Sequence, residues 1–303
     1  MAPKPPDVRS APAEPGRFSG MPAEPWRPSM FWGIVPAMAK DPFSLEGKTA
    51  IVTGGGTGIG KSIAIEFARA GADVAICSRK LEHLEPVEKE IRNLGRKAFS
   101  MTLDVRQEDQ VKAIVERVTQ EWGHLDVMVN NAGASFRAKP EDISVNGWNT
   151  VIQINLNGVF LGCKWAGKQM MQQPTGGVIV NISSIAGVYG STMMSHYGAA
   201  KSAVITLTRE LGTAWGRKKV RVNCIAPGPV ETEGYLDVLK QAGPDGKKTY
   251  DQVASRVGMG RWGKVHEIAY PCIFLASDAS SWMTGETIVI DGGPSPREMD
   301  EGT

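Results

Sequence analysis

The stretch Lys48-Thr49-Ala50-Ile51-Val52-Thr53-Gly54-Gly55-Gly56-Thr57-Gly58-Ile59-Gly60 decides the fold. Its first half is a short apolar run with β-branched residues, the pattern of a buried strand. Its second half spaces glycines as Gly54-x3-Gly58-x-Gly60. From Ile59 to Ala70 apolar residues then recur at i, i+3, i+4 and i+7, as in an amphipathic helix. Glycines between a strand and a helix let the backbone turn sharply and leave the free amides of the helix start facing a pyrophosphate. A glycine-rich loop also serves ordinary tight turns. The flanking strand and helix are what give this one meaning.

Outward from that unit, short β-branched runs alternate with helical patterns. The strands are expected at 48–53, 73–78, 97–103, 125–129, 178–182, 220–224 and 287–290. The helices between them are expected at 59–70, 81–94, 107–122, 148–172, 197–215 and 266–277. Near-continuous apolar strands such as Ala50-Ile51-Val52 and Val127-Met128-Val129 are those of a parallel sheet covered on both faces. Repeated βαβ units give an α/β class, a doubly wound seven-stranded parallel sheet of the Rossmann type in a single domain over 45–296. Its ligand belongs at the carboxyl ends of the strands.

The chain has 303 residues, a net charge of +2 and 22% charged residues, which excludes a polyelectrolyte built to coat nucleic acid or a membrane surface. Cys77, Cys163, Cys224 and Cys272 lie too far apart for a disulfide scaffold or a CxxC knuckle and read as reduced, buried thiols. The four histidines are equally scattered, so a metal site has no local support. No apolar run is long enough to span a bilayer. Ten of the 19 prolines fall in the first 42 residues, so residues 1–44 read as a solvated, disordered extension, with Trp26, Phe31, Trp32 and Ile34 able to dock on a neighbouring subunit. Residues 297–303 read as a tail. The ending is no peroxisomal address, and a cytoplasmic location is expected.

The second strand ends Ile76-Cys77-Ser78-Arg79-Lys80, with no acid until Glu82. An acid there would accept from a ribose 2′-hydroxyl and repel a 2′-phosphate. A guanidinium binds the phosphate by paired, charge-assisted hydrogen bonds, and the Ser78 hydroxyl can add another. NADP(H) is therefore favoured over NAD(H), unless Arg79 and Lys80 are only solvated residues opening a helix. Tyr197 and Lys201 stand four residues apart, on one face of a helix. A free phenol has a pKa near 10, and a neighbouring cation can lower it into use as an acid–base group. Such pairs also occur by chance. Upstream, a strand delivers Ser184 to the sheet's carboxyl edge, where it can hydrogen-bond a carbonyl oxygen. Asn155 and Asn157 sit in an apolar helix, either holding water or a backbone carbonyl or kinking the helix.

Taken together these motifs resemble the short-chain dehydrogenase/reductase family, in the branch marked by TGxxxGxG, NNAG, an active-site Asn, a Ser, YxxxK and PG. Here they are Thr53 to Gly60, Asn130-Asn131-Ala132-Gly133, Asn155, Ser184, Tyr197 with Lys201, and Pro227-Gly228, and the resemblance covers about residues 45 to 293. It implies a catalytic set of Asn155, Ser184, Tyr197 and Lys201. Ser184 would polarise the carbonyl, Tyr197 would donate the proton, and Lys201 would hold the ribose while lowering the Tyr pKa. Asn155 would position a water that reconnects Lys201 to solvent. The cofactor would be held by Gly54, Thr57, Gly58, Ile59 and Gly60, by Ser78 and Arg79, and by Asp104 and Val105 beside the adenine. Asn131, Ala132 and Gly133 would line the cleft, with Pro227, Gly228, Val230 and Thr232 at the nicotinamide. A homotetramer or homodimer is implied as well, built partly on the helices at 148–172 and 197–216.

The long insertion 229–264 carries six glycines and reads as a mobile lid over the substrate. Tyr189, Met193, Met194, Met259 and Trp262 suggest an apolar pocket, or else core packing. Lys240, Lys247, Lys248 and Arg256 suit a substrate carried on coenzyme A or acyl carrier protein, or a solvated helix face. Three functions compete. A ketone is interconverted with a secondary alcohol, 3-oxoacyl thioesters being one subclass; or an enoyl or 2,4-dienoyl thioester is reduced; or the chain is a non-catalytic NADP sensor or scaffold. The second draws on Pro227-Gly228-Pro229 followed by Thr232-Glu233-Gly234, similar to the dienoyl reductases, which however depart from the Tyr motif.

Overall fold

The computed structural model describes residues 41–293. The docking residues suggested for 1–40 and the tail at 297–303 lie outside the described residues. Seven parallel strands form one sheet in the order β3-β2-β1-β4-β5-β6-β9. They are β1 (Thr49–Thr53), β2 (Asp73–Ser78), β3 (Ala98–Thr102), β4 (Val127–Asn130), β5 (Gly177–Ile182), β6 (Val220–Pro227) and β9 (Thr287–Ile290). The helices that cross between them are α1 (Gly58–Arg69), α2 (Leu81–Asn93), α3 (Glu108–Trp122), α4 (Val145–Ile152), α5 (Gly158–Met170), α6 (Ile185–Tyr189), α7 (Ser195–Trp215) and α10 (Val265–Ala276). No helix among the described residues is long and apolar enough to cross a membrane.

The period-two pleat sorts each strand's side chains onto two cores. Ala50 and Val52 of β1 face a layer made by α1, α2 and α10, with Phe67, Leu84, Ile91 and Leu275 fully buried. Ile51 between them faces the opposite layer, made by α3, α5 and α7, with Ile114, Cys163 and Val204. All five residues of β1 are buried because both its faces are covered. The four cysteines are buried free thiols. Residues just before position 45 pack on the domain. Ala279 donates its N–H to the Pro42 carbonyl at 3.0 Å, Phe43 packs on Phe274 at 6.2 Å, and Leu45 is buried.

Two segments differ from the sequence reading. The helix expected over 148–172 is interrupted at Gln153–Asn157 by a π turn, which separates α4 from α5 and carries Asn155 into the interior. The glycine-rich 229–264 insertion is mostly helical. It consists of β7 (Val230–Glu231), α8 (Glu233–Gln241), α9 (Gly243–Ser255) and β8 (Gly263–Lys264), with β7 and β8 paired in parallel. Gly246 serves close packing rather than mobility, since a Cβ on it would lie 1.8 Å from the Leu239 carbonyl oxygen of α8. Gly243 and Gly260 adopt the left-handed region, at φ 58° and 66°.

Candidate active site

β2 and β3 lie to one side of β1, and β4, β5, β6 and β9 to the other, so the chain reverses its winding between β1 and β4. Loops leaving the two strands diverge there and open a crevice. On the β1 side, Gly54 and Gly58 take φ of 67° and 53°, which only glycine adopts without strain. Gly60 lets α1 approach closely, because a Cβ on it would lie 2.2 Å from the Gly54 oxygen and 2.4 Å from Asn131 Nδ2. On the β4 side, the amides of Asn131 and Ala132 both donate to Thr53 Oγ1 at 3.0 Å, and Asn131 Nδ2 donates to the Thr53 carbonyl at 2.9 Å. The two loops are thus one clamped unit. The α1 N-cap, Thr57, makes no side-chain cap, so the first-turn amides keep their donors for an anion.

The crevice has two lobes that meet at Gly54, Thr57, Ala132, Gly133 and Ala134. The smaller, of about 270 Å³, is lined by Ser78, Arg79, Asp104 and Val105, with Lys80 and His83 beside them. Ser78 closes a turn, donating its hydroxyl to the Lys80 carbonyl at 3.1 Å, so its proton is not free for a phosphate in this conformation. Arg79 is exposed and forms no salt bridge among the described residues. The one acid in this lobe, Asp104, is held by Arg106 (Nε–Oδ1 3.0 Å), and that hydrogen bond keeps its carboxyl below the usual range. His83 had no signal in the sequence. It reaches the lobe because α2 starts beneath Gly56, where a Cβ would lie 2.9 Å from His83 Cβ.

The larger lobe, of about 750 Å³, is lined by Ile59, Asn131, Ser184, Tyr197, Lys201, Pro227, Gly228, Val230 and Thr232, among others. β5 ends at Ile182 and is followed by Ser183 and Ser184. Ser184 caps α6, its Oγ accepting from the Ala186 amide at 3.1 Å. Ser183 Oγ donates to the Lys201 carbonyl at 2.7 Å, which pins the first turns of α7 over the sheet edge. Lys201 Nζ, one turn beyond Tyr197, donates to the Ile182 carbonyl at 2.8 Å and lies 5.6 Å from the Tyr197 ring centroid. Burial lowers Lys201 from 10.5 to about 8.

Burial also raises the Tyr197 phenol above 10, with the Ser184 hydroxyl beside it pulling the other way. Burial outweighs that hydrogen bond, and the Lys201 ammonium is turned to the Ile182 carbonyl. Asn155, fully buried in the π turn, donates Nδ2 to Ala134 O at 2.6 Å and to Val151 O at 2.9 Å, and its Oδ1 has no partner.

Of the residues suggested for an apolar pocket, Tyr189, Met194 and Trp262 line the larger lobe. Met193 does not. Its carbonyl accepts from the Ala138 amide, and Met259 lies 65% exposed against Gly292. Tyr235 and Val253, missed in the sequence, complete the wall. Their only signal was apolar spacing within the segment that reads as a lid. None of Lys240, Lys247, Lys248 and Arg256 lines the lobe, and two pair locally, Lys240 with Asp237 and Lys247 with Asp251.

A doubly wound sheet with a clamped glycine cradle at its switch point defines the class, a Rossmann-type dinucleotide-binding domain. The family model described as enoyl-(acyl carrier protein) reductase matches residues 54–295. A 3-oxoacyl-acyl-carrier-protein reductase from Thermotoga maritima is 39% identical over 82% of this chain and 98% of its own. Two crystal structures are also similar. A short-chain type dehydrogenase/reductase from Mycobacterium marinum has a TM-score of 0.78 and 35% identity, over 85% of this chain and 99% of that one. A Beutenbergia cavernae protein described as an NAD(P)-dependent gluconate 5-dehydrogenase, with NADP bound at low occupancy, has a TM-score of 0.76 and 35% identity, over 84% and 98%. The chain belongs to the short-chain dehydrogenase/reductase family of oxidoreductases.

Proposed function

We propose that the protein interconverts a ketone and a secondary alcohol with NADP(H), using Ser184, Tyr197, Lys201 and Asn155. One observation carries this reading: the Tyr197 phenol and the Ser184 hydroxyl stand together in the large lobe, with a buried amine one helical turn behind them. The crevice fits a dinucleotide, because a glycine cradle that any Cβ would fill adjoins free helix amides and one lobe extends from it to either side. The amides at Gly58 to Gly60 would hold the pyrophosphate and Arg79 the 2′-phosphate. Asp104 is no obstacle to that phosphate, since Arg106 neutralises it. The likeness to a structure with NADP bound supports the same preference.

Reduction adds a hydride to the carbonyl carbon and a proton to its oxygen, and the bound nicotinamide supplies the hydride. Ser184 and Tyr197 orient the carbonyl oxygen between their hydroxyls. A phenol raised by burial remains protonated at neutral pH, so Tyr197 is poised to give its proton to that oxygen. Lys201, titrating near 8, can replace it, and a water held between Lys201 and the free Asn155 oxygen would lead the proton onward. Running the reaction backward needs the phenolate, so alcohol oxidation should rise with pH.

Carbon–carbon double-bond reduction is the second reading, favoured by the description of the matching family model. The Thr232-Glu233-Gly234 segment behind it does structural work here. Thr232 caps α8, accepting from Tyr235 N, and Glu233 pairs with Lys61 at 2.9 Å. Following NADPH oxidation against ketones, 3-oxoacyl thioesters and enoyl thioesters decides between the two. Tyr197→Phe should lower ketone turnover by about 10²–10⁴ while NADPH still binds. A variant that keeps most of its activity would refute the proton-donor role.

A further inference from the structure

The substrate side of the large lobe carries no charge. It is built by Ile185 and Tyr189 of α6, Met194 ahead of α7, and Tyr235, Val253 and Trp262 of the 229–264 segment. Among the described residues no Arg, His, Asp or Glu lines the lobe, and the one cation, Lys201, is buried and engaged with the Ile182 carbonyl. The indole nitrogen of the wall is turned elsewhere. Trp262 donates Nε1 to the Tyr250 carbonyl at 3.0 Å and stacks on the Tyr250 ring at 5.3 Å, with Tyr235 against its other side at 5.2 Å. The Tyr250 hydroxyl donates to the Glu231 carboxylate, which Lys264 also holds. What remains for a ligand beyond Ser184 and Tyr197 is ring surface, aliphatic surface and a few neutral hydroxyls.

Resting on the carbonyl-reduction reading above, we infer that this site takes neutral ketones with an apolar chain or ring beside the carbonyl. It discriminates against substrates that would bring a carboxylate into the lobe. A carboxylate taken from water needs a counter-charge, and among the described residues this wall supplies none, only neutral hydroxyls set in apolar surface. Gluconate, the acid in the description of the Beutenbergia cavernae protein, is by that criterion a poor substrate here. An acyl group on a phosphate-bearing carrier remains admissible, because its charges would stay outside the lobe, in water.

The test uses pairs that share the ketone and differ in a free carboxylate, ethyl levulinate against levulinate and methyl 4-(3-oxobutyl)benzoate against 4-(3-oxobutyl)benzoate, with 5-dehydro-D-gluconate as a sugar acid. In NADPH oxidation the neutral member should lead in kcat/KM by about 100-fold or more, the scale of a buried charge left unpaired. In the presence of NADPH, the Tyr197→Phe protein should be raised in Tm by the neutral members and not by the acids. Met194→Arg, and separately Val253→Arg, should narrow the preference at least tenfold, each providing the other's control for folding. Neutral ketones that bind selectively but are never reduced sink the carbonyl reading and leave the site assignment standing. Acids that bind as well as their neutral partners, or neutral ketones that fail to bind, overturn the inference itself.

Discussion

Asn155 Oδ1 and Lys201 Nζ face each other across a gap that exists because residue 133 is glycine. A Cβ there would lie 2.8 Å from the Asn155 oxygen and 3.7 Å from the Lys201 nitrogen. The oxygen is buried without a partner and the amine is buried with one, so a single water in the gap satisfies both. Gly133→Ala should close it. We expect kcat to fall by roughly tenfold to 100-fold, Asn155→Ala to fall similarly, and the double variant to fall little further, since both changes remove one unit. Steady-state kinetics on the three proteins measures this, and fully additive losses would separate the two residues.

Lys201 makes stability depend on pH in a direction that can be worked out. Its folded pKa is about 8 against an ordinary 10.5, so between those values the unfolded chain holds a proton that the folded chain lacks. Stability therefore rises with pH from about 8 upward. Above about 9 the buried thiols oppose this, because burial raises Cys77 and Cys163 to about 12 and Cys224 to about 11. Lys201→Met should be inactive, yet more stable than the parent at pH 7 by roughly 5 °C in Tm, with the gap closing toward pH 10. A gap that widens with pH would contradict this.

Arg79 stands just past the end of β2, exposed and in no salt bridge among the described residues. Arg79→Ala should raise the KM for NADPH by about 10-fold to 100-fold, the worth of a charge-assisted pair, and leave that for NADH nearly unchanged. Equal effects on both cofactors would remove its role in choosing between them.

His196 precedes the phenol and is fully buried, with neither ring nitrogen hydrogen-bonded, its ring set edge-on to Phe136 at 4.3 Å. Unsatisfied polar atoms cost about 1–3 kcal/mol each. His196→Leu should therefore be neutral or stabilising, and ketone reduction should persist. A marked fall in Tm would show that the imidazole has a use in the folded protein.

Several features were legible in the chain itself because they are local. A glycine that needs φ of 67° at position 54, apolar alternation along β1 and the four-residue spacing of Tyr197 and Lys201 depend on neighbours in sequence, and each reads correctly there. The helices within 229–264 were less legible, because glycines interrupt their apolar spacing, and Gly246 is small because α8 crosses it.

What the sequence determined is thus the backbone's path and the residue types brought to the sheet's carboxyl edge, since hydrogen-bonded elements and their periodicity follow from short-range sterics and burial. Only the tertiary structure decided how those residues behave. It turned Lys201 toward the Ile182 carbonyl, buried the phenol beside Ser184, set Gly133 against Asn155 and Lys201, and walled the large lobe, among the described residues, with neutral side chains. Desolvation and electrostatics are set by everything that packs around a group, and those neighbours come from distant parts of the chain.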